Sequence, residues 1–237
     1  MGRRRAVGRD LPALRSGYGL PPSREGKHHQ RASGIAWRCE ARRVPIGYFR
    51  HVRAQLDVAG ETEMERVDAV AHELLAHLEA VSDEIDAVHV HGAGSSVVQI
   101  IVSRLLRDQI GFREERVLTR VDGWDTHARP DFFYELGPGR GILAEVERGG
   151  TTTNNHDLKD FWKAHLAPDA QHLFLIVPRA NWRADGLARE RPFQLVNRRI
   201  GGFFGDGRRE VDVVSAHVFG YGQQGERTAG RPPVELG

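Results

Sequence analysis

The run His172-Leu173-Phe174-Leu175-Ile176-Val177, closed by Pro178, limits what this chain can fold into. A continuous apolar stretch of this length is expected of a strand buried on both faces. Sheets built on such strands are covered by helices on both sides, so the expected class is α/β. The segments before it supply the rest of the pattern. Thr62 and Glu65 form a capping box, and Val67, Val70, Ala71, Leu74, Leu78 and Val81 then recur on one helical face. Ala87 to His91 reads as a short strand. A Gly-Ala-Gly-Ser-Ser turn opens a helix from Val97 to Gln109, which Gly111 ends.

Three strand candidates follow: Arg116 to Val121, Asp131 to Leu136 and Gly141 to Glu147. The last two flank Gly137-Pro138-Gly139-Arg140, a tight-turn signature. Asn154 reads as the cap of a helix whose apolar face is Leu158, Phe161, Trp162, His165 and Leu166. The order is helix, three-stranded meander, helix, strand, and the sheet is expected to be mixed. A weak strand is expected at Glu210 to Val214, before a Gly/Pro-rich tail.

Within this frame the stretch Ile142-Leu143-Ala144-Glu145-Val146-Glu147 is unusual. Strand residues two apart share a face, so Glu145 and Glu147 leave the strand together. Asp131 opens the preceding hairpin strand, which brings it opposite Glu145. Clustered carboxylates repel one another unless a cation neutralises them, and hard oxygen ligands favour magnesium, manganese or calcium over zinc.

These residues carry a resemblance. Arg129-Pro-Asp-Phe-Phe through Glu145-Val-Glu147 is similar to the motif of the PD-(D/E)XK nucleases, with Pro130-Asp131 as the PD and Glu145-Val146-Glu147 as the (D/E)XK. Glu147 stands where a lysine is usual, as in restriction enzymes of the BamHI type. The resemblance covers about residues 92–180 and implies a restriction-endonuclease-like core. It further implies that Asp131 and Glu145, helped by the Val146 carbonyl, hold Mg2+ or Mn2+, and that Glu147 orients or deprotonates the attacking water. DNA would be the substrate and its phosphodiester bonds the target. Enzymes of this type often dimerise, which leaves a homodimer open. Some relatives carry the catalytic lysine on the following helix, where Lys159 and Lys163 lie; Lys159 is taken as the catalytic candidate and Lys163 as support. Gln99, on the first core helix, is a candidate for polar support. The departure at Glu147 keeps a second reading open, a catalytically inactive nucleic-acid-binding module.

Composition sets the remaining bounds. The chain has 237 residues with 40% hydrophobic and 28% charged content, ordinary for a globular protein. Cys39 is the single cysteine, which excludes an internal disulfide and suits a cytoplasmic setting. No apolar run is long enough to span a membrane. Charge is uneven: residues 1–50 hold 12 Lys/Arg against 3 Asp/Glu, and the remainder holds 22 against 29. Residues 1–45 therefore read as a disordered basic segment, a composition that can also hold a polyanion. Residues 46–180 read as the nuclease-like core with its preceding helix. Residues 181–237 read as an extension packing on it. The turn before Val97 lacks the lysine of a phosphate-binding P-loop, and His89 and His91 lack a third metal ligand.

Overall fold

The computed structural model describes residues 46–119, 127–205 and 211–223. The basic segment 1–45, with Cys39, and the glycine-rich tail lie outside the described residues. The chain divides into Met1–Glu40 and Ala41–Gly237, and every element below belongs to the second unit.

The elements run in the order β1 (Gly47–Val52), α1 (Val58–Ala80), α2 (Ser82–Val88), α3 (Ser96–Leu105), β2 (Arg113–Glu114), β3 (Phe132–Gly137), β4 (Arg140–Val146), α4 (His156–Leu166), β5 (His172–Pro178), β6 (Asn181–Trp182), β7 (Ala188–Glu190), α5 (Pro192–Phe204) and β8 (Ser215–Tyr221). Six strands form one sheet in the order β1-β8-β5-β4-β3-β2, and β6 and β7 form a separate hairpin. The β2-β3-β4 meander and the β1-β8 pair are antiparallel, whereas β4-β5 and β5-β8 are parallel. The sheet is thus mixed, and helices flank both of its faces.

Strand alternation sorts the core into two layers. Ile142, Ala144 and Val146 of β4, with Phe174 and Ile176 of β5, meet Val67, Leu74, Leu78, Ile101 and Val102 of the N-terminal helices. Leu143, Leu173, Leu175 and Val177 meet Phe161 and Ala164 of α4 and Phe193, Val196 and Ile200 of α5. Glu145, in phase with Leu143, leaves β4 on the side of α4 and α5. At the β1-β8 pair, Gly47 lies opposite Gly220. A Cβ on either would sit 2.3 or 2.7 Å from the Phe193 ring. The two glycines make the hollow that seats α5 on the sheet.

The strand β5 lies where its apolar run predicts, and all of it is buried. The hairpin β3-β4 is shifted by one residue from the expected bounds at both of its strands. Other elements differ. Ala87 and Val88 close α2, and no strand forms at His89–His91, because Ile85 and its neighbours continue the α1 layer as a helix. The first meander strand is only Arg113–Glu114; Val117 is exposed, and Arg120–Val121 lie outside the described residues. Helix α1 begins at Val58 under Asp57, whose carboxylate accepts the Gly60 N–H at 2.7 Å, so Thr62 lies inside the helix. Helix α3 passes at Leu106–Ile110 into a π-helical turn, which Gly111 ends at φ 95°.

The largest difference lies at the two ends. Strand β8, from the segment expected to pack on the core as an extension, is inserted into the sheet between β5 and β1, and all of it is buried. It falls just after the expected Glu210–Val214 strand. Strand β1 was not expected at all, since its Arg50 and His51 break any apolar period.

The buried face of β8 carries a polar chain. His172 Nδ1 lies 2.8 Å from Ser215 Oγ, Ser215 Oγ lies 3.2 Å from His217 Nε2, and His217 Nδ1 lies 2.7 Å from the Tyr48 hydroxyl. Glu63 Oε1 closes the far end at 2.8 Å from His172 Nε2. Burial above all pulls the His217 imidazole down to about 3, against the charge of Asp68. An imidazole neutral in the fold stabilises it fully above the unfolded value of about 6.5, and that stability is lost as pH falls toward the folded value. Urea midpoints are therefore expected to drop from about pH 6 to about pH 4, by up to about 1.4 kcal/mol per pH unit for this group. His217→Gln should be less stable near neutrality yet lose less on acidification; equal pH slopes in the two proteins would contradict this.

Candidate active site

The hairpin register builds the site. Phe132 pairs with Ala144, so Asp131, one residue before β3, stands against Glu145. The Val146 N–H donates to Asp131 Oδ2 at 2.9 Å, and the Asp131 N–H donates to Glu145 Oε2 at 3.2 Å. These two bonds lock both carboxylates to the backbone of the opposite strand. The N–H and C=O of one strand residue leave toward the same neighbour, so the Val146 carbonyl faces the edge where Asp131 lies. Glu145 is only 4% exposed.

Helix α4 answers this buried charge. Its Lys163 ammonium bonds Glu145 Oε1 and also Asp160 Oδ1, the latter at 3.1 Å. Asp160 is itself buried, and its Oδ2 has no partner among the described residues. Glu147 Oε2 lies 2.9 Å from His156 Nδ1 at the start of α4. The Glu147 carbonyl accepts from the Tyr221 hydroxyl at 2.8 Å, and its N–H donates to Ile176 O at 2.9 Å. Side chain and backbone of Glu147 are both held.

Electrostatics follow from one cation among many carboxylates. Burial, then the charge of Asp160, pushes Glu145 up to about 8, with Lys163 opposing. Burial and Asp160 likewise push Glu147 up to about 7, with His156 opposing. Burial raises Asp131 and Asp160 as well. Burial would lower Lys163, but the charges of Glu145 and Asp160 outweigh it and hold the ammonium above its ordinary value. The lysine is therefore charged at neutral pH, while the carboxylates around it retain protons in excess of bulk solution.

The expected residues divide accordingly. Asp131, Glu145, Val146, Glu147 and Lys163 come together. Lys159 is exposed and, one turn before Lys163 along α4, makes no hydrogen bond or ion pair with the carboxylates among the described residues. Lys163, expected as support, reaches the carboxylates, and Lys159, the expected catalytic candidate, does not. Gln99 is not among the cluster's hydrogen-bond partners. It lines an open groove of about 450 Å³ with Ser96, Ile100, Ser103, Arg107, Glu114 and Glu115. Glu115 donates its N–H to the Asp131 carbonyl at 3.0 Å, which sets this groove beside the carboxylates.

Asp160, His156 and Tyr221 were not singled out from the sequence. The signal for Asp160 is its place one turn before Lys163, but it requires the inner face of α4 to be polar. The buried residues of α4 are Asp157, Asp160, Phe161 and Ala164, whereas Trp162, expected inside, is 50% exposed. The helix cap is Asn155 at φ 55°, not Asn154, and its side-chain oxygen accepts from Arg199 at 3.2 Å. Arg199 also pairs with the fully buried Asp157 at 3.1 Å, fixing α4 against α5.

Among the described residues no three His, Cys, Asp or Glu side chains converge closely enough to form a ready metal cage. No helix among them is long and apolar enough to cross a membrane. No protein-family model, curated protein or solved structure matches this chain.

Lys163→Met should cost roughly 2–3 kcal/mol, because it strands two buried carboxylates, while Lys159→Met should stay within about 0.5 kcal/mol of the parent. Arg199→Ala should cost a similar 2–3 kcal/mol by uncovering Asp157. Urea unfolding of the three variants checks this, and equal losses at the two lysines would contradict the assignment.

Proposed function

We propose that this chain is a divalent-metal-dependent DNA endonuclease with a restriction-endonuclease-like core. The carrying observation is that Asp131 and Glu145 oppose each other across one hairpin with the Lys163 ammonium on Glu145. The order α3, β2-β3-β4 meander, α4 and parallel β5 supports the same reading, as does the similarity of the Pro130-Asp131 and Glu145-Val146-Glu147 stretches to the nuclease motif.

The donor set fits a hard cation. Every candidate ligand is oxygen, four carboxyl groups surround a single ammonium, and one buried oxygen of Asp160 is unpartnered among the described residues. Magnesium keeps most of its waters and needs only one or two carboxylates, so the absence of a three-residue cage is compatible with it. Asp131 and Glu145, with the Val146 carbonyl, would hold Mg2+ or Mn2+, which supplies charge stabilisation to the phosphate oxygens when bound.

The chain's own groups do the rest. Glu147, oriented by His156 and anchored through Tyr221, accepts the proton of the attacking water. The water oxygen bonds to phosphorus as the bond from phosphorus to the leaving sugar oxygen breaks. Lys163 holds its positive charge beside the phosphate and plays the part that the motif's lysine would otherwise play.

One observation favours a second reading. The Lys163 ammonium already neutralises Glu145, so a module that binds nucleic acid without cutting it would need no metal.

Incubation of supercoiled plasmid with the purified chain and Mg2+ or Mn2+ separates the two. Nicking is expected, with a loss of roughly a thousandfold or more in Glu145→Ala. No nicking with any metal, or equal nicking by the variant, would overturn the nuclease reading.

A further inference from the structure

We infer that the outer side of the β6-β7 hairpin and α5 carries a strip of arginines that holds the phosphate backbone of DNA. This inference rests on the proposed nuclease reading and names where its substrate is gripped. Arg189, Arg191 and Arg198 are all exposed, and none of their side chains has a hydrogen bond or ion pair among the described residues. Most other arginines of the described surface are paired: Arg50 with Asp68, Arg104 with Glu84, Arg107 with Asp108 and Glu114, and Arg140 with Glu63. Three unpaired cations in one short segment are therefore a distinct feature of this surface.

All three lie in one short segment. Arg189 and Arg191 flank Glu190 where β7, whose pairing with β6 is irregular at this point, gives way to the N-cap of α5. Arg191 is the N-cap of α5, and Arg198 follows two turns later on its outer side with the exposed Gln194. The inner face, Phe193, Val196 and Ile200, is buried. The two helical turns from Arg191 to Arg198 span on the order of 10 Å, the rise of about three nucleotides along a duplex strand.

The acidic residues of the segment do not cancel this charge. Asp185 is paired with Arg183 at 2.7 Å. Glu190 accepts from Asn181 Nδ2 at 2.8 Å and from the Thr152 hydroxyl at 3.3 Å. Asn181 also donates to the Arg148 carbonyl at 2.6 Å. These bonds fasten the hairpin to residues 148–152, the loop that directly follows Glu147. The arginine strip thus begins on the element that borders the carboxylate cluster. A backbone lying on it is carried toward that cluster, whose own negative charge would otherwise repel DNA.

The test is equilibrium binding of a fluorescein-labelled DNA duplex, and of its single strand, over about 50 to 200 mM salt. The full-length protein is measured in EDTA and again with calcium. Arg189→Ala/Arg191→Ala/Arg198→Ala is expected to weaken binding roughly tenfold or more and to flatten the log–log salt slope by about 2.7. Arg104→Ala, whose guanidinium is already paired with Glu84, should leave both unchanged. Circular dichroism of the triple variant should match the parent, since no partner is lost. Parent-like affinity and slope in the triple variant, or no DNA binding by the parent at low salt, would overturn the inference. Arginine-dependent binding without cleavage by any metal would retain the strip and remove the nuclease reading. Cleavage that ignores the triple substitution would do the reverse.

Discussion

A carboxylate on a strand covered on both faces has to be neutralised or protonated, and the architecture around Glu145 follows from that requirement. Strand alternation sends Glu145 into the layer of α4 and α5 rather than into water. Asp131 faces it by register, and Glu147 shares its side of β4. Helix α4 therefore turns Asp160 and Lys163 inward and leaves Trp162 outside. Arg199 then neutralises Asp157 on the same helix, which ties α5 to α4. Polar pairing, more than apolar area, sets how this helix is rotated about its axis.

The other layer meets a similar problem with neutral groups. His172 and His217 lie inside the sheet, joined by a continuous set of hydrogen bonds through Ser215 and on to Tyr48. Burial lowers both imidazoles. Mostly neutral groups, with Glu63 at one end, satisfy this side, whereas the other gathers four carboxyl groups around one ammonium and holds them above their ordinary range. Such imbalance is costly to a fold, and it is the kind of strain that functional sites retain.

What could be read from the sequence tracks where local chemistry decides structure. Strand β5 was legible because an unbroken apolar run has one solution, and the β3-β4 hairpin because its turn residues fix the register that places Asp131 on Glu145. Lys159 and Lys163 could not be told apart, since the apolar period of α4 puts Leu158 and Trp162 inside and the structure does not. Asp160 was hidden for the same reason. Strands β1 and β8 were missed or misplaced because their partners are distant in sequence: β8 is buried by β5 and β1, and Arg50 and His51 carry no strand signal of their own. Gly47 and Gly220 carry no strand signal of their own either; the Phe193 ring fills the hollow they leave.

The central claim is that the Asp131–Glu145 pair is a cation site which Lys163 partly satisfies. Calorimetric titration of the metal-free protein with Mn2+ tests it most directly, with Glu145→Gln alongside. The account predicts saturable binding near one equivalent in the parent and loss of that binding in the variant. Absence of binding in the parent, or equal binding by both proteins, would contradict it.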